Sequence, residues 1–80
     1  MSEKEILLGL TEVFRDVFDD DDIVISAETT ADDIEDWDSI EHITLIGAVE
    51  ERFGMRFKMG EVSGMHNVGE MIDIIAQRGR

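Results

Sequence analysis

Apolar residues in this chain recur at spacings of three and four, and that period dictates helices. In the first block, from about Glu3 to Phe18, they fall at Ile6, Leu7, Leu10, Val13, Phe14, Val17 and Phe18, one stripe down one side. A second block, from about Ser39 to Phe53, carries Ile43, Ile46, Val49 and Phe53, with Leu45 beside them. A third, from about Asn67 to Gln77, carries Val68, Met71, Ile72 and Ile75. No proline interrupts any of them.

The connections are legible as well. "DDDD", residues 19–22, is unfavourable at the negative end of a helix dipole and stops the first helix. Residues 19–36 then form a long loop. Within it "IVI" (23–25) is too short for a useful strand and tucks into the core, and "TTADDI" makes one short turn with Thr30 as cap. Gly54 sits where a left-handed C-cap is expected. In "MRFKMGEVSG", Phe57 and Val62 drop into the core around a short helical turn, and Met55, Met59, Met65 and Met71 read as adaptable core filler. Asn67 caps the last helix and pairs with Glu70 in a capping box, while "RGR" places a basic end at its C-terminus. With 80 residues and no cysteine, the expectation is a single domain over 1–80: an all-α bundle of three to four helices with a long loop between the first and second.

Charge narrows the function. Seven Lys and Arg stand against twenty Asp and Glu, a net −13. Phosphate backbones would be repelled, so nucleic acid is excluded as a partner, whereas basic protein surfaces and loosely held divalent cations are attracted. An acidic chain can be disordered, but 42% hydrophobic content in periodic blocks favours a fold. "MSEKEILLGL" has acid where a signal peptide has base, and no run is long enough to span a membrane. A cytoplasmic monomer is expected.

The start of the second helix, "EDWDSIEHI" (35–43), carries the chemistry. If Asp38 is the N-cap, the third helical residue is Glu41, and D-S-I-E is an Asp form of the capping box with Glu41 reaching back. Ser39 is then the first helical residue, free to face solvent at a terminus whose N–H groups and dipole favour a phosphate. Spacing alone leaves two roles open for Ser39: a share in capping, or the attachment of a phosphodiester.

"DSI" followed by a helix, "AVEERFGMRF" and the final "NVGEMIDII" resemble the acyl and peptidyl carrier proteins over nearly the whole chain. The resemblance implies that Ser39 receives 4'-phosphopantetheine from coenzyme A through a magnesium-dependent phosphopantetheinyl transferase, flanked by Asp38 and Ile40. It implies a carrier that is a substrate of other enzymes, holding acyl groups as thioesters. Trp37, Glu41, Glu50 and Glu51 would meet acyl-loading and acyl-transfer enzymes with basic docking surfaces. Ile43, Leu45, Ile46, Val49 and Ile72 would form a pocket for the acyl chain. The chain departs from the commonest bacterial fatty-acid pattern at Asp36 and Trp37 before the Asp-Ser pair, and at Thr44, Gly47, Arg52 and Lys58. Trp37 before Asp-Ser, with His42 three residues after the serine, resembles stand-alone carriers of specialised polyketide, aminoacyl or cell-surface acylation pathways more than fatty-acid synthesis.

Other chemistries fit less well. Ser39 and His42 lie one helical turn apart, but no glycine-rich N–H cradle accompanies them, so a hydrolase lacks its oxyanion hole. The acid run fails as a calcium loop, since Val24 stands where the mid-loop glycine belongs and Thr30 where the last glutamate belongs. The two histidines, His42 near the arm and His66 before the last helix, bring no metal-ligand set. Trp37 reads as a partly buried lid on the loop, with a role in partner choice. The alternative function is an unmodified acidic helical adaptor.

Overall fold

The computed structural model describes residues 2–79. Four helices, α1 (Glu3–Val17), α2 (Ser39–Phe53), α3 (Met59–Ser63) and α4 (Val68–Arg78), are joined by loops, and one 3-10 turn, Ala31–Asp33, interrupts the first connection. Among the described residues there is no strand. α1 packs against both α2 and α4.

α1 begins with a capping box that the periodicity did not disclose. Ser2 Oγ accepts from Glu5 N–H at 3.2 Å, and the Glu5 carboxylate accepts from Ser2 N–H. It ends at the acid run for a definable reason: Asp20 N–H donates to Arg15 C=O, Asp19 N–H to Asp16 C=O, and Asp19 takes φ 50°. This is a Schellman closure with aspartate in the left-handed position that glycine usually fills. Ile6, Leu10, Val13, Phe14 and Phe18 are buried, with Leu7 and Val17 half-buried against them. Gly9 is buried too, because Phe53 of α2 lies over it. A Cβ there would stand 2.8 Å from the ring.

The long loop is packed rather than loose. Ile23 and Ile25 enter the core while Val24 points out, and Arg15 Nε donates to the Ile23 carbonyl at 2.8 Å. Two backbone bonds, Val68 N–H to Thr29 C=O and Gly69 N–H to Ala27 C=O, tie the loop to the start of α4. At the 3-10 turn the Asp33 carboxylate accepts from Thr30 N–H at 2.9 Å, with Thr30 at the cap position.

Three expectations need correction. Ile43 was placed on the core stripe of α2 and in an acyl pocket, but it is 71% exposed. Steps of three fall short of a full turn by about 60° each, so 43, 46 and 49 cannot share one line. The core line is instead Leu45, Ile46, Val49 and Phe53. Met59 is not core filler, since it opens α3 on the solvent side at 88% exposure. At α4, Asn67 Oδ1 caps Glu70 N–H at 2.9 Å as expected, but the Glu70 carboxylate reaches past Asn67 to His66 N–H. Phe57 and Val62 are half-buried against the core, as the pattern required. Arg78 occupies the last turn of α4, while Arg80 of the "RGR" end lies outside the described residues.

Candidate functional site

The head of α2 is built from three consecutive residues that point in three directions. Trp37 turns inward. Its ring lies edge-on to Phe14 with centroids 5.2 Å apart, and only 9% of the residue is exposed. Asp38 is extended (φ −105°, ψ −173°) and its Oδ1 accepts from Glu41 N–H at 2.8 Å, which makes it the N-cap. Glu41 does not complete a capping box, because Asp38 N–H is already donated to the Asp36 carbonyl. Ser39 follows as the first helical residue and is exposed, as is Ile40 beside it. The capping role therefore falls to Asp38.

Beside Ser39 an open groove of about 410 Å³ runs between the loop, the head of α2 and the α3 region. Ser39, Asp38 and His42 form one side, and Val62, Ser63 and His66 the other. His42 is held at both ring nitrogens. Trp37 Nε1–H donates to Nδ1 at 3.0 Å, and Nε2 lies 3.1 Å from the Val62 carbonyl oxygen. An indole N–H is only a donor and a carbonyl only an acceptor, so the imidazole carries its proton on Nε2. His42 is thus a structural bridge. With Nδ1 occupied by the indole N–H and Nε2 by Val62, it is not aimed at Ser39 as a base.

The remaining expected site residues divide. Leu45, Ile46, Val49 and Ile72 are buried together in the core. Glu51 is exposed, and Glu41 is half-buried. Glu50 is half-buried and its carboxylate accepts from Phe57 N–H at 2.8 Å, holding the turn after α2. Hydrophobic burial against Phe14 and Phe18 draws the Trp37 ring inward, so that it meets the groove beside Ser39 with little of its surface exposed. Missed altogether was the Glu61–Arg78 pair, two parallel bonds joining α3 to the end of α4. Both bonds, then the Lys58 N–H, hold the Glu61 carboxyl down at about 2. No signal at a separation of seventeen residues announces such a pair. Among the described residues, no group of three or more His, Asp or Glu is placed to hold a metal ion, and no helix is long and apolar enough to cross a membrane.

An exposed serine at the first position of a capped helix, opening onto a groove, fits a covalent phosphodiester arm, since nothing must move to admit one. The chain is similar to known proteins in sequence and in fold. A family model described as the phosphopantetheine attachment site matches residues 9–75. The acyl carrier protein of Acidothermus cellulolyticus is 34% identical over 76 residues, covering 95% of this chain and 90% of its own. That of Myxococcus xanthus is 31% identical over 74 residues, covering 92% and 94%. The solution structure of the holo acyl carrier protein from Geobacter metallireducens superposes with a TM-score of 0.84 at 43% identity, covering 90% of this chain and 83% of that one.

Proposed function

Because the chain belongs to the phosphopantetheine-binding family of acyl carrier proteins, we propose that Ser39 is the residue that bears its arm. The family is one of carriers, and its function is to hold acyl groups on covalent 4'-phosphopantetheine. When bound, the arm supplies a terminal thiol that holds the acyl group as a thioester. The observation that carries the assignment to Ser39 is its exposure at the first position of α2, with Asp38 satisfying the cap in its place. In the modification, the Ser39 hydroxyl gives up its proton and forms the new O–P bond. The pyrophosphate link of coenzyme A breaks as it does so, and adenosine 3',5'-bisphosphate leaves with the bonding electrons. Asp38 fixes the backbone at that hydroxyl through its bond to Glu41 N–H, and the N-terminal dipole of α2 favours the phosphate charge that results.

The partners that follow are a phosphopantetheinyl transferase and enzymes that load and unload the acyl group. Exposed Ile40, Ile43 and Glu51 on α2 give such partners an apolar strip bordered by acid. The net charge of −13 steers basic surfaces toward it. We assign the chain to a specialised acylation pathway in the cytoplasm, acting as one domain over 1–80. The support is Asp36 and Trp37 before the Asp-Ser pair, which depart from the pattern of the commonest fatty-acid carriers, together with His42 three residues after the serine. Intact mass after incubation with coenzyme A, magnesium and a broad-specificity transferase tests the site. One phosphopantetheine increment, absent in Ser39→Ala, is expected. No increment with several transferases would leave an unmodified helical adaptor.

A further inference from the structure

The inner wall of the groove beside Ser39 is bridged by hydrogen bonds. Trp37, seated on Phe14, donates to His42, and His42 donates to the carbonyl of Val62 near the end of α3. The two rings also stack, with centroids 5.9 Å apart and planes 25° from parallel. Loop, α2 and α3 are thereby joined in one line across the path from Ser39 to the core. α3 is fastened at a second point, where Glu61 binds both Lys58 N–H and Arg78. Behind this wall Leu45, Val49, Met71 and Ile75 are buried in contact with one another's cluster.

An alkyl chain on Ser39 that entered between α2 and α3 would have to part His42 from Val62. That leaves an N–H and a C=O unpaired against hydrocarbon, which is costly for both. The outer face of the groove makes no such demand: Ser63 and His66 are polar and exposed. We infer that His42 is a specificity-determining residue, whose bridge from Trp37 to Val62 keeps the cargo in the surface groove and selects short acyl groups over long alkyl chains. This rests on the assignment of the arm to Ser39.

The test loads the full chain through a transferase given coenzyme A, 3-hydroxybutyryl-coenzyme A or octanoyl-coenzyme A, confirms each product by mass, and follows the methyl resonances of Leu45, Val49 and Ile75 together with Tm. In the wild type, both acyl forms should keep the core resonances and Tm of the unacylated holo form. In His42→Ala, octanoyl loading should shift those resonances and raise Tm by several degrees over the same variant's holo form, as burial of the chain requires, while 3-hydroxybutyryl loading should not. Wild-type octanoyl protein with displaced core resonances overturns the inference even if the variant fails to fold, and so does a folded His42→Ala that ignores the octanoyl chain. Either result leaves the mass increment at Ser39 intact. Absence of any increment removes the carrier assignment and this inference together.

Discussion

Replacing Asp38 by alanine isolates what holds the head of α2. The substitution deletes the 2.8 Å bond from Glu41 N–H to Oδ1 and leaves that donor to water. Loss of an N-cap side chain costs about 1 kcal/mol. The same carboxylate faces the positive end of the α2 dipole, worth about 0.3–1 kcal/mol more at low salt. Against this, removing one of twenty acidic residues from a chain of net charge −13 relieves a few tenths of a kcal/mol of repulsion. The net loss is about 1–1.5 kcal/mol. A chain of 80 residues has an unfolding entropy near Tm of about 170 cal/mol/K, so Tm should fall by about 6–9 °C. Asp38→Asn keeps an acceptor oxygen and should lose less than half as much. Thermal melts followed by circular dichroism read the shift, and amide exchange at Glu41 reports the freed N–H directly. An Asp38→Ala melt within about 1 °C of wild type would refute the cap assignment. Equal losses for Ala and Asn would show that charge, not the hydrogen bond, holds the helix start.

The Glu61–Arg78 pair predicts an acid limb. The Glu61 carboxyl titrates at about 2 in the fold against 4.5 ordinarily, so its stabilisation is complete above about pH 4.5 and is lost as pH falls toward 2. Glu61→Gln should lower Tm at neutral pH and flatten the fall in Tm across that window; an unchanged acid limb would remove the pair from the account. The two helix-interior glycines predict opposite signs. Gly47 has nothing within 4 Å of an added Cβ, so Gly47→Ala should gain about 1 kcal/mol of helix propensity and raise Tm by about 6 °C. Gly9→Ala should lower Tm despite the same propensity gain, because the added Cβ meets buried Phe53 at 2.8 Å.

Local rules reached most of this architecture. The helix spans followed from a 3.6-residue period sustained over ten or more residues. Asp38 and Asn67 were found as caps because capping acts across three residues, within the reach of a sequence pattern. Ile43 departs from the apolar pattern because equal spacings of three do not trace a straight line on a helical cylinder. The Ser2–Glu5 box obeys the same three-residue rule, although the apolar period of α1 is the stronger signal there. What stayed hidden depends on separation. Gly9 under Phe53, Glu61 with Arg78, and His42 with Val62 are contacts between helices, and no single-chain period encodes which residues face each other. The partners of Trp37 belong to this class: the sequence reads it as a partly buried lid on the loop, but only the fold shows its orientation, with Phe14 and Phe18 standing below it.

That orientation explains how a reactive serine can be both exposed and fixed. Exposed hydroxyls near loops usually share the loop's mobility, since little is buried to hold them. Here the residue two before Ser39 is anchored in the core, with edge-to-face packing on Phe14 and a hydrogen bond to His42. The residue before Ser39 is clamped to the first turn of α2 through Glu41 N–H. An extended conformation at Asp38 separates the two, so that the chain leaves the core and enters the helix within one residue. Ser39 inherits a fixed Cα position from both neighbours while its own side chain carries no structural duty. Trp37→Ala would then loosen the attachment point and open the inner wall of the groove at once, whereas Trp37→Phe keeps the ring over Phe14 and removes only the bond to His42. Comparing amide exchange in the two variants at His42, whose N–H closes the head of α2 by donating to Asp38 C=O at 2.9 Å, separates anchoring by burial from anchoring through the histidine. Protection that survives in Trp37→Phe and disappears in Trp37→Ala assigns the anchoring to burial.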